Sequence, residues 1–239
     1  MRYLNFANRV ITNILLEILI IIIDLSGSMN TKDWKPSRKA GAIKANKELI
    51  KTKAQCHPQD KVGIIGFGSG AEILHEPVCL SQGAESLSNA LNGLPDMGFT
   101  NFKAALELAE ACLFGKPVPA GRKSGRAVIS GFLSWLLYDQ PYKPSHHIAE
   151  SLSNDNCLRR IIMLTDGHYN EGGSPIKLAR RLKDAGVVVD CIGIGGSPAD
   201  VREGNLREIA SRNADGSVRY CFIGDQQNLI TQTDRFVRF

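Results

Sequence analysis

Asp24, Ser26 and Ser28 stand at alternate positions in ILIIIIDLSGSM (18–29), directly after an apolar run with no polar break. Further along, GFTN places Thr100 just ahead of a helical pattern, and MLTDG places Asp166 at the end of another apolar run. Two carboxylates and three hydroxyls make a set of hard oxygen donors with no Cys or His among them. Such a set selects Mg²⁺, Mn²⁺ or Ca²⁺ over zinc or copper. Each residue taken singly has a plainer use. Ser26 and Ser28 would serve as helix caps, and Asp24 and Asp166 as turn residues. Their value as a site depends on a fold that gathers them.

The elements that would gather them are legible as apolar runs. The stretch 18–23 is six β-branched or Leu residues and reads as a buried central strand of a parallel sheet. Runs of the same character are KVGIIGFG (61–68), RIIMLTDG (160–167), VVVDCIGIG (187–195) and VRYCFIG (218–224). AEILHEPV (71–78) alternates and follows its neighbour after a GSG turn, which predicts an antiparallel hairpin strand at the sheet edge.

Helical stretches lie between the runs. PSRKAGAIKANKELIKTKA (36–54) has Pro36 near its first turn and apolar positions at Ala40, Ile43, Ile50 and Ala54. ESLSNALNGL (85–94), NFKAALELAEACLF (101–114), PIKLARRLKDAG (175–186) and NLREIASRN (205–213) follow, with Gly186 suited to a helix C-terminus. Strands alternating with amphipathic helices predict a single doubly wound α/β domain. Its sheet is mostly parallel and six-stranded, in the order 3-2-1-4-5-6 with one antiparallel edge strand, and helices cover both faces. In such folds the working groups gather at the carboxyl ends of the strands, which is where Asp24 and Asp166 stand.

A chain of 239 residues with 43% hydrophobic and 22% charged residues can bury a core without staples. The net charge of +5 is spread with no basic block, so it does not point to nucleic acid. Cys56, Cys79, Cys112, Cys157, Cys191 and Cys221 are scattered, without a C-x-x-C pair or zinc spacing, as reduced thiols would be. With no N-x-[ST] site either, the expectation is a cytoplasmic protein. Arg9, Asn13 and Glu17 interrupt the apolar N-terminus, and the unbroken run falls far short of the ~20 residues that span a bilayer. Residues 1–13 read as an N-terminal extension.

DLSGSM, GFTN and MLTDG, in that order, resemble the metal-ion-dependent adhesion site of the von Willebrand factor type A domain, also called the integrin I-like domain. The family pattern of D-x-S-x-S, a later Thr and a later Asp falls on Asp24, Ser26, Ser28, Thr100 and Asp166. One departure is Phe99, where the family often has Gly before the Thr. The resemblance implies a divalent cation, Mg²⁺ or else Mn²⁺ or Ca²⁺, held directly by hydroxyls, with Asp24 and Asp166 acting largely through bound waters. It further implies a recognition module without catalysis, in which the cation captures an Asp or Glu of a partner protein.

Other chemistries fit less well. A haloacid-dehalogenase-type phosphatase or phosphotransferase would also set an Asp at its first strand end, but it needs a second acid two residues on, where Ser26 stands. GFGSG (66–70) and GIGG (193–196) lack the G-x-G-x-x-G and G-K-[ST] signatures of nucleotide binding. His168 lies near Asp166 but no G-x-S-x-G elbow accompanies it, so it reads as a rim residue.

Residues 115–158 depart from the family, which usually has a short loop between the third helix and the fourth strand. A basic GKPVPAGRKSGR leads into AVISGFLSWLLYDQPY and then into a polar tail containing His146 and His147, read as ordinary solvated histidines. The expectation is a packed appendage or second contact surface built on Phe132, Trp135, Leu136 and Tyr138, at the sheet edge opposite the metal.

Overall fold

Six consecutive side chains of the first strand, Ile18 to Ile23, are fully buried in the computed structural model, which describes residues 16–116 and 157–237. That strand is β1 (Leu16–Asp24), and the others are β2 (Lys61–Phe67), β3 (Ala71–Cys79), β4 (Cys157–Thr165), β5 (Val187–Ile194) and β6 (Tyr220–Ile223). The sheet runs β3-β2-β1-β4-β5-β6. Every pair is parallel except β2 with β3, which are antiparallel. The order and the edge hairpin are those expected from the sequence.

Alternation along β1 divides the interior in two. Ile18, Ile20 and Ile22 pack into one core with α3 (Phe102–Phe114), α4 (Ile176–Asp184) and α5 (Glu203–Ile209). Leu19, Ile21 and Ile23 pack into the other with α1 (Arg38–Cys56), α2 (Leu80–Ala90) and α6 (Gln226–Val237). Burying each such side chain contributes about 1.5–3 kcal/mol, so β1 anchors both layers. Short 3-10 turns at Gly27–Asn30 and Pro198–Asp200 follow β1 and β5.

Two helices differ from the sequence reading. The buried stripe of α1 comprises Arg38, Gly41, Ala42, Ala45, Asn46, Leu49, Ile50 and Lys53, whereas Ala40, Ile43 and Ala54 are only half-buried. Polar residues inside the stripe disguise its phase. The second helix begins at Leu80, directly after β3, and ends at Ala90, so it lies upstream of 85–94. Gly93, at φ 65°, lies beyond its end.

One of the polar residues buried on α1, Lys53, has its partners at the amino ends of the strands. Lys53 Nζ is 2.6 Å from Asp60 Oδ2 and pairs closely with Glu17 Oε2. Glu17 N donates to Asp60 Oδ1 at 3.0 Å. Arg160 Nη1 reaches Glu17 at 3.5 Å, and its Nε donates to Asp190 Oδ2 at 2.6 Å. Asp190 in turn accepts from Arg219 Nε at 2.8 Å. Three acids and three bases thus balance at this end of the sheet, and the pattern of apolar faces alone would not reveal them.

The segment expected to form an insertion, 115–158, lies outside the described residues apart from 115, 116, 157 and 158, as do Phe132, Trp135, Leu136, Tyr138, His146, His147 and the 1–13 extension. Its two attachment points are close. Arg159 Nε donates to Leu113 O at 3.3 Å, and its guanidinium lies 5.0 Å from the centre of the Phe114 ring.

Lys53→Met leaves Asp60 and one Glu17 oxygen buried without their cation. We expect a loss of about 3–5 kcal/mol in urea unfolding. A loss below about 1 kcal/mol would show that water replaces the ammonium there.

Candidate metal centre

The site grows out of strand register. β1 and β4 lie side by side with Ile23 opposite Leu164, so Asp24 comes level with Thr165. Thr165 Oγ1 donates to Asp24 Oδ2 at 2.6 Å, and Ser26 N donates to Asp24 Oδ1 at 2.8 Å. Both oxygens of a fully buried carboxylate are thereby satisfied. The hydroxyls of Ser26 and Ser28 lie 3.1 Å apart on the turn that follows, Ser26 buried and Ser28 exposed.

Asp166 follows β4 directly and is also buried. Gly167 then takes φ 81°, in the left-handed region where a side chain would be strained, and this lets its N–H turn back to Thr165 Oγ1 at 3.0 Å. His168 N donates to Asp166 Oδ1 at 3.2 Å.

Thr100 arrives on a third loop that is tied to both neighbours. Gly27 N donates to Gly98 O at 3.0 Å, joining it to the serine turn. Asn170 clamps it from the β4 side: its Oδ1 accepts from Thr100 N at 2.9 Å, and its N donates to Thr100 O at 3.0 Å. Asn101 caps α3 by accepting from Ala104 N at 3.0 Å, which fixes the residue next to Thr100.

Ser26, Ser28, Thr100 and Asp166 therefore line one open cavity of about 800 Å³, with Asp24 beneath them. The five sequence-predicted residues converge. Phe99 and His168 stand on the same cavity; Phe99 is 61% exposed, a large apolar side chain presented to solvent. His168 Nε2 lies 3.1 Å from Asp200 O.

Three further residues escaped sequence reasoning: Thr165, Asn170 and Arg38. Arg38, the first residue of α1, also lines the cavity. Its Nε lies 2.9 Å from both oxygens of Asp33, and its Nη1 is 3.8 Å from Asp166 Oδ2. Gly41 lets the Trp34 ring rest on α1, since a Cβ there would come within 2.6 Å of the ring, and Trp34 Nε1 donates to Gly195 O at 3.0 Å. That packing pins the loop carrying Asp33.

The electrostatics follow from burial. Desolvation pushes the Asp24 carboxyl up to about 6; hydrogen bonds from Ser26 and Thr165 oppose the rise and the Asp166 charge adds to it. Hydrogen bonding from Arg38 holds Asp33 below the usual carboxylate range, and Asp33 in return raises Arg38.

These residues fit a hard divalent cation. Among the described residues no three His, Cys, Asp or Glu cluster as soft or carboxylate-rich metal sites require. The donors are instead hydroxyls backed by two buried acids. Adjacent oxygens around an octahedral ion at 2.0–2.1 Å lie about 3 Å apart, which the Ser26–Ser28 spacing of 3.1 Å matches.

Two family models, both described as von Willebrand factor type A domain, match residues 19–133 and 145–234. No curated protein matches the sequence. Among solved structures, proximal thread matrix protein 1 from the mussel byssus, in a form with a zinc-occupied MIDAS motif, is 18% identical at TM-score 0.64, over 93% of this chain and 47% of that one. The chain thus spans about half the length of the mussel protein. BatB from Bacteroides thetaiotaomicron is 20% identical at TM-score 0.60, over 92% of this chain and 98% of that one. The SpRpn10 VWA domain is 18% identical at TM-score 0.58, over 91% and 95% respectively. At these identities the structures show a shared fold.

The raised Asp24 carboxyl has a consequence for the metal-free protein. Its folded value, about 6, lies above the ordinary 3.8, so the folded state holds the proton more tightly than the unfolded chain. Asp24 therefore costs stability above about pH 6, and the cost is relieved as pH falls toward 3.8. Asp24→Asn removes the buried charge and keeps the shape. In EDTA at pH 8 the variant should melt above the parent, with the gap narrowing by about pH 5. A variant melting well below the parent at pH 8 would show that hydrogen bonding to the carboxylate outweighs its desolvation.

Proposed function

This chain belongs to the von Willebrand factor type A domain family, and on that premise we propose that it is a metal-dependent recognition module whose cation captures an Asp or Glu of a partner protein. The observation that carries this reading is the convergence of the Ser26, Ser28 and Thr100 hydroxyls over two buried acids in one open cavity.

The three hydroxyls would hold the ion directly, while Asp24 and Asp166 balance its charge from behind, through water. Asp24 is suited to that part because both its oxygens already accept protein hydrogen bonds. Neutral ligands leave the cation electrophilic, and Mg²⁺ commonly keeps exchangeable waters, so its chemistry here is to bind an incoming carboxylate oxygen. Thr165 and Asn170 orient Asp24 and Thr100, and so keep the socket shaped before the ion arrives.

The all-oxygen donor set favours Mg²⁺ or Mn²⁺, with Ca²⁺ as the other hard candidate; the zinc of the mussel relative supports a divalent ion in general. Phe99 on the rim offers apolar contact area beside the socket, the kind of exposed aromatic that anchors interfaces. In this reading the domain catalyses nothing itself, since Ser26 occupies the position where a phosphatase of this general layout needs its second acid. Among the described residues no helix is long and apolar enough to cross a membrane. The six free thiols favour a reducing compartment, and we place the protein in the cytoplasm on that ground.

Titration calorimetry should find one site for Mg²⁺ or Mn²⁺, abolished by Asp24→Ala. Unchanged binding in a folded Asp24→Ala protein would sink the assignment.

We propose that 115–158 is a second contact surface or a packed appendage and takes no part in the metal site. The segment leaves from the end of α3 and returns at the start of β4, at the edge of the sheet opposite Asp24 and Asp166. Replacing 117–156 with a short Gly/Ser linker should leave metal affinity within a few fold, because loop length costs little free energy. Loss of metal binding in a folded deletion variant would contradict this.

A further inference from the structure

A second cation already stands in the socket. The Arg38 side chain is only 8% exposed, and its two ends do different things. The Nε and Nη2 edge grips Asp33, with Nε 2.9 Å from both carboxylate oxygens. The Nη1 end lies 3.8 Å from Asp166 Oδ2, beyond hydrogen-bond distance, and has no hydrogen-bond partner among the described residues. Neighbouring acids are partly engaged by other donors. Asp166 Oδ1 accepts from His168 N at 3.2 Å. Asp200 Oδ2, 4.0 Å from Nη2, accepts from Ser197 N at 2.8 Å and Ser197 Oγ at 3.0 Å. The fork to Asp33 fixes the guanidinium plane, so Nη1 presents its donors to the cavity that Ser26, Ser28 and Thr100 also line.

A carboxylate has two oxygens, and a cation that takes one of them leaves the other in need of a donor. We propose that Arg38 is a specificity-determining residue of this site, whose Nη1 donates to the second oxygen of the captured Asp or Glu. The inference rests on the capture reading above. A guanidinium donor discriminates a carboxylate from a neutral amide or hydroxyl, because a charge-assisted hydrogen bond is about twice as strong as a neutral one. Being held by Asp33 beforehand, Arg38 loses little freedom on binding. Its charge also gives the proposal a sign. A cation beside the socket opposes metal entry, so removing it does not weaken metal binding, whereas it does weaken carboxylate binding.

The test uses the full chain loaded with Mn²⁺, with acetate and acetamide as probes. Free Mn²⁺ is counted by electron paramagnetic resonance, and probe binding is read from broadening of the methyl proton signals. In Arg38→Gln we expect Mn²⁺ affinity equal to or above that of the parent, acetate affinity reduced about fivefold or more, and a narrowed preference for acetate over acetamide. Arg38→Lys keeps the charge without the fork and should fall between. Acetate affinity within twofold of the parent in Mn²⁺-loaded Arg38→Gln overturns the inference and leaves the capture reading standing. Joint loss of Mn²⁺ and acetate in both variants makes Arg38 a shaping residue only, and also overturns it. Failure of the Mn²⁺-loaded parent itself to bind acetate overturns the capture reading, and the inference with it.

Discussion

A carboxylate at the end of a strand buried on both faces has to be stabilised where water cannot reach it. Asp24 follows six fully buried residues and is itself fully buried. Burying an isolated charge costs far more than one hydrogen bond returns, so the fold must surround it with donors. It does so from its own turn, through Ser26 N, and from the adjacent strand, through Thr165 Oγ1. Even so the carboxyl remains raised to about 6, which means that these donors do not fully compensate. The remaining electrostatic demand is for a cation, and the hydroxyls that stand over Asp24 are suited to hold one. The candidate metal socket and the central strand are therefore one problem in burial.

The opposite ends of the strands face the same problem and solve it differently. Glu17, Lys53, Asp60, Arg160, Asp190 and Arg219 neutralise one another with side chains from the protein itself. Nothing exchangeable is needed there, because every acid has a resident base. At the carboxyl ends Arg38 is the resident base, and Asp33 takes most of it. Asp24 and Asp166 are left with backbone and hydroxyl donors and with one guanidinium nitrogen at 3.8 Å. The sheet thus has a closed ionic end and an end with a net demand for positive charge. That asymmetry is what marks the carboxyl end, and not the amino end, as the candidate binding site.

Much of this was legible because burial and chemistry leave period and type in a sequence. The β1 run, the edge hairpin and the order of the strands follow from apolar periodicity and from the GSG turn. Asp24, Ser26, Ser28, Thr100 and Asp166 were legible as a pattern of residue types after two strands and ahead of one helix. The α1 stripe was misread because Arg38, Asn46 and Lys53 are buried on it, and a hydrophobicity pattern cannot tell a buried partnered base from a solvated one. The start of α2 was missed because Leu80 follows β3 with no intervening turn residue. Thr165 and Asn170 could not be recognised in advance. Their roles depend on partners 141 and 70 residues away in the chain, and those distances become contacts only once β1, β4 and α3 are assembled.

On the proposed reading Asp166 would stand between two cations, Arg38 and a bound metal ion. It faces the guanidinium of Arg38 on one side and the hydroxyl-lined cavity on the other. A carboxylate shared between a fixed cation and an exchangeable one binds the second less tightly than it would alone, since each partner screens it from the other. A site built for tight metal storage would avoid such sharing and add acids. A site built for reversible capture, as proposed, would gain from it, because the ion would keep affinity to spare for an incoming anion and Arg38 would mark where that anion lies. The placement of Arg38 at the first residue of α1, locked by Asp33, makes the geometry of its guanidinium a property of the helix start and not of a mobile side chain.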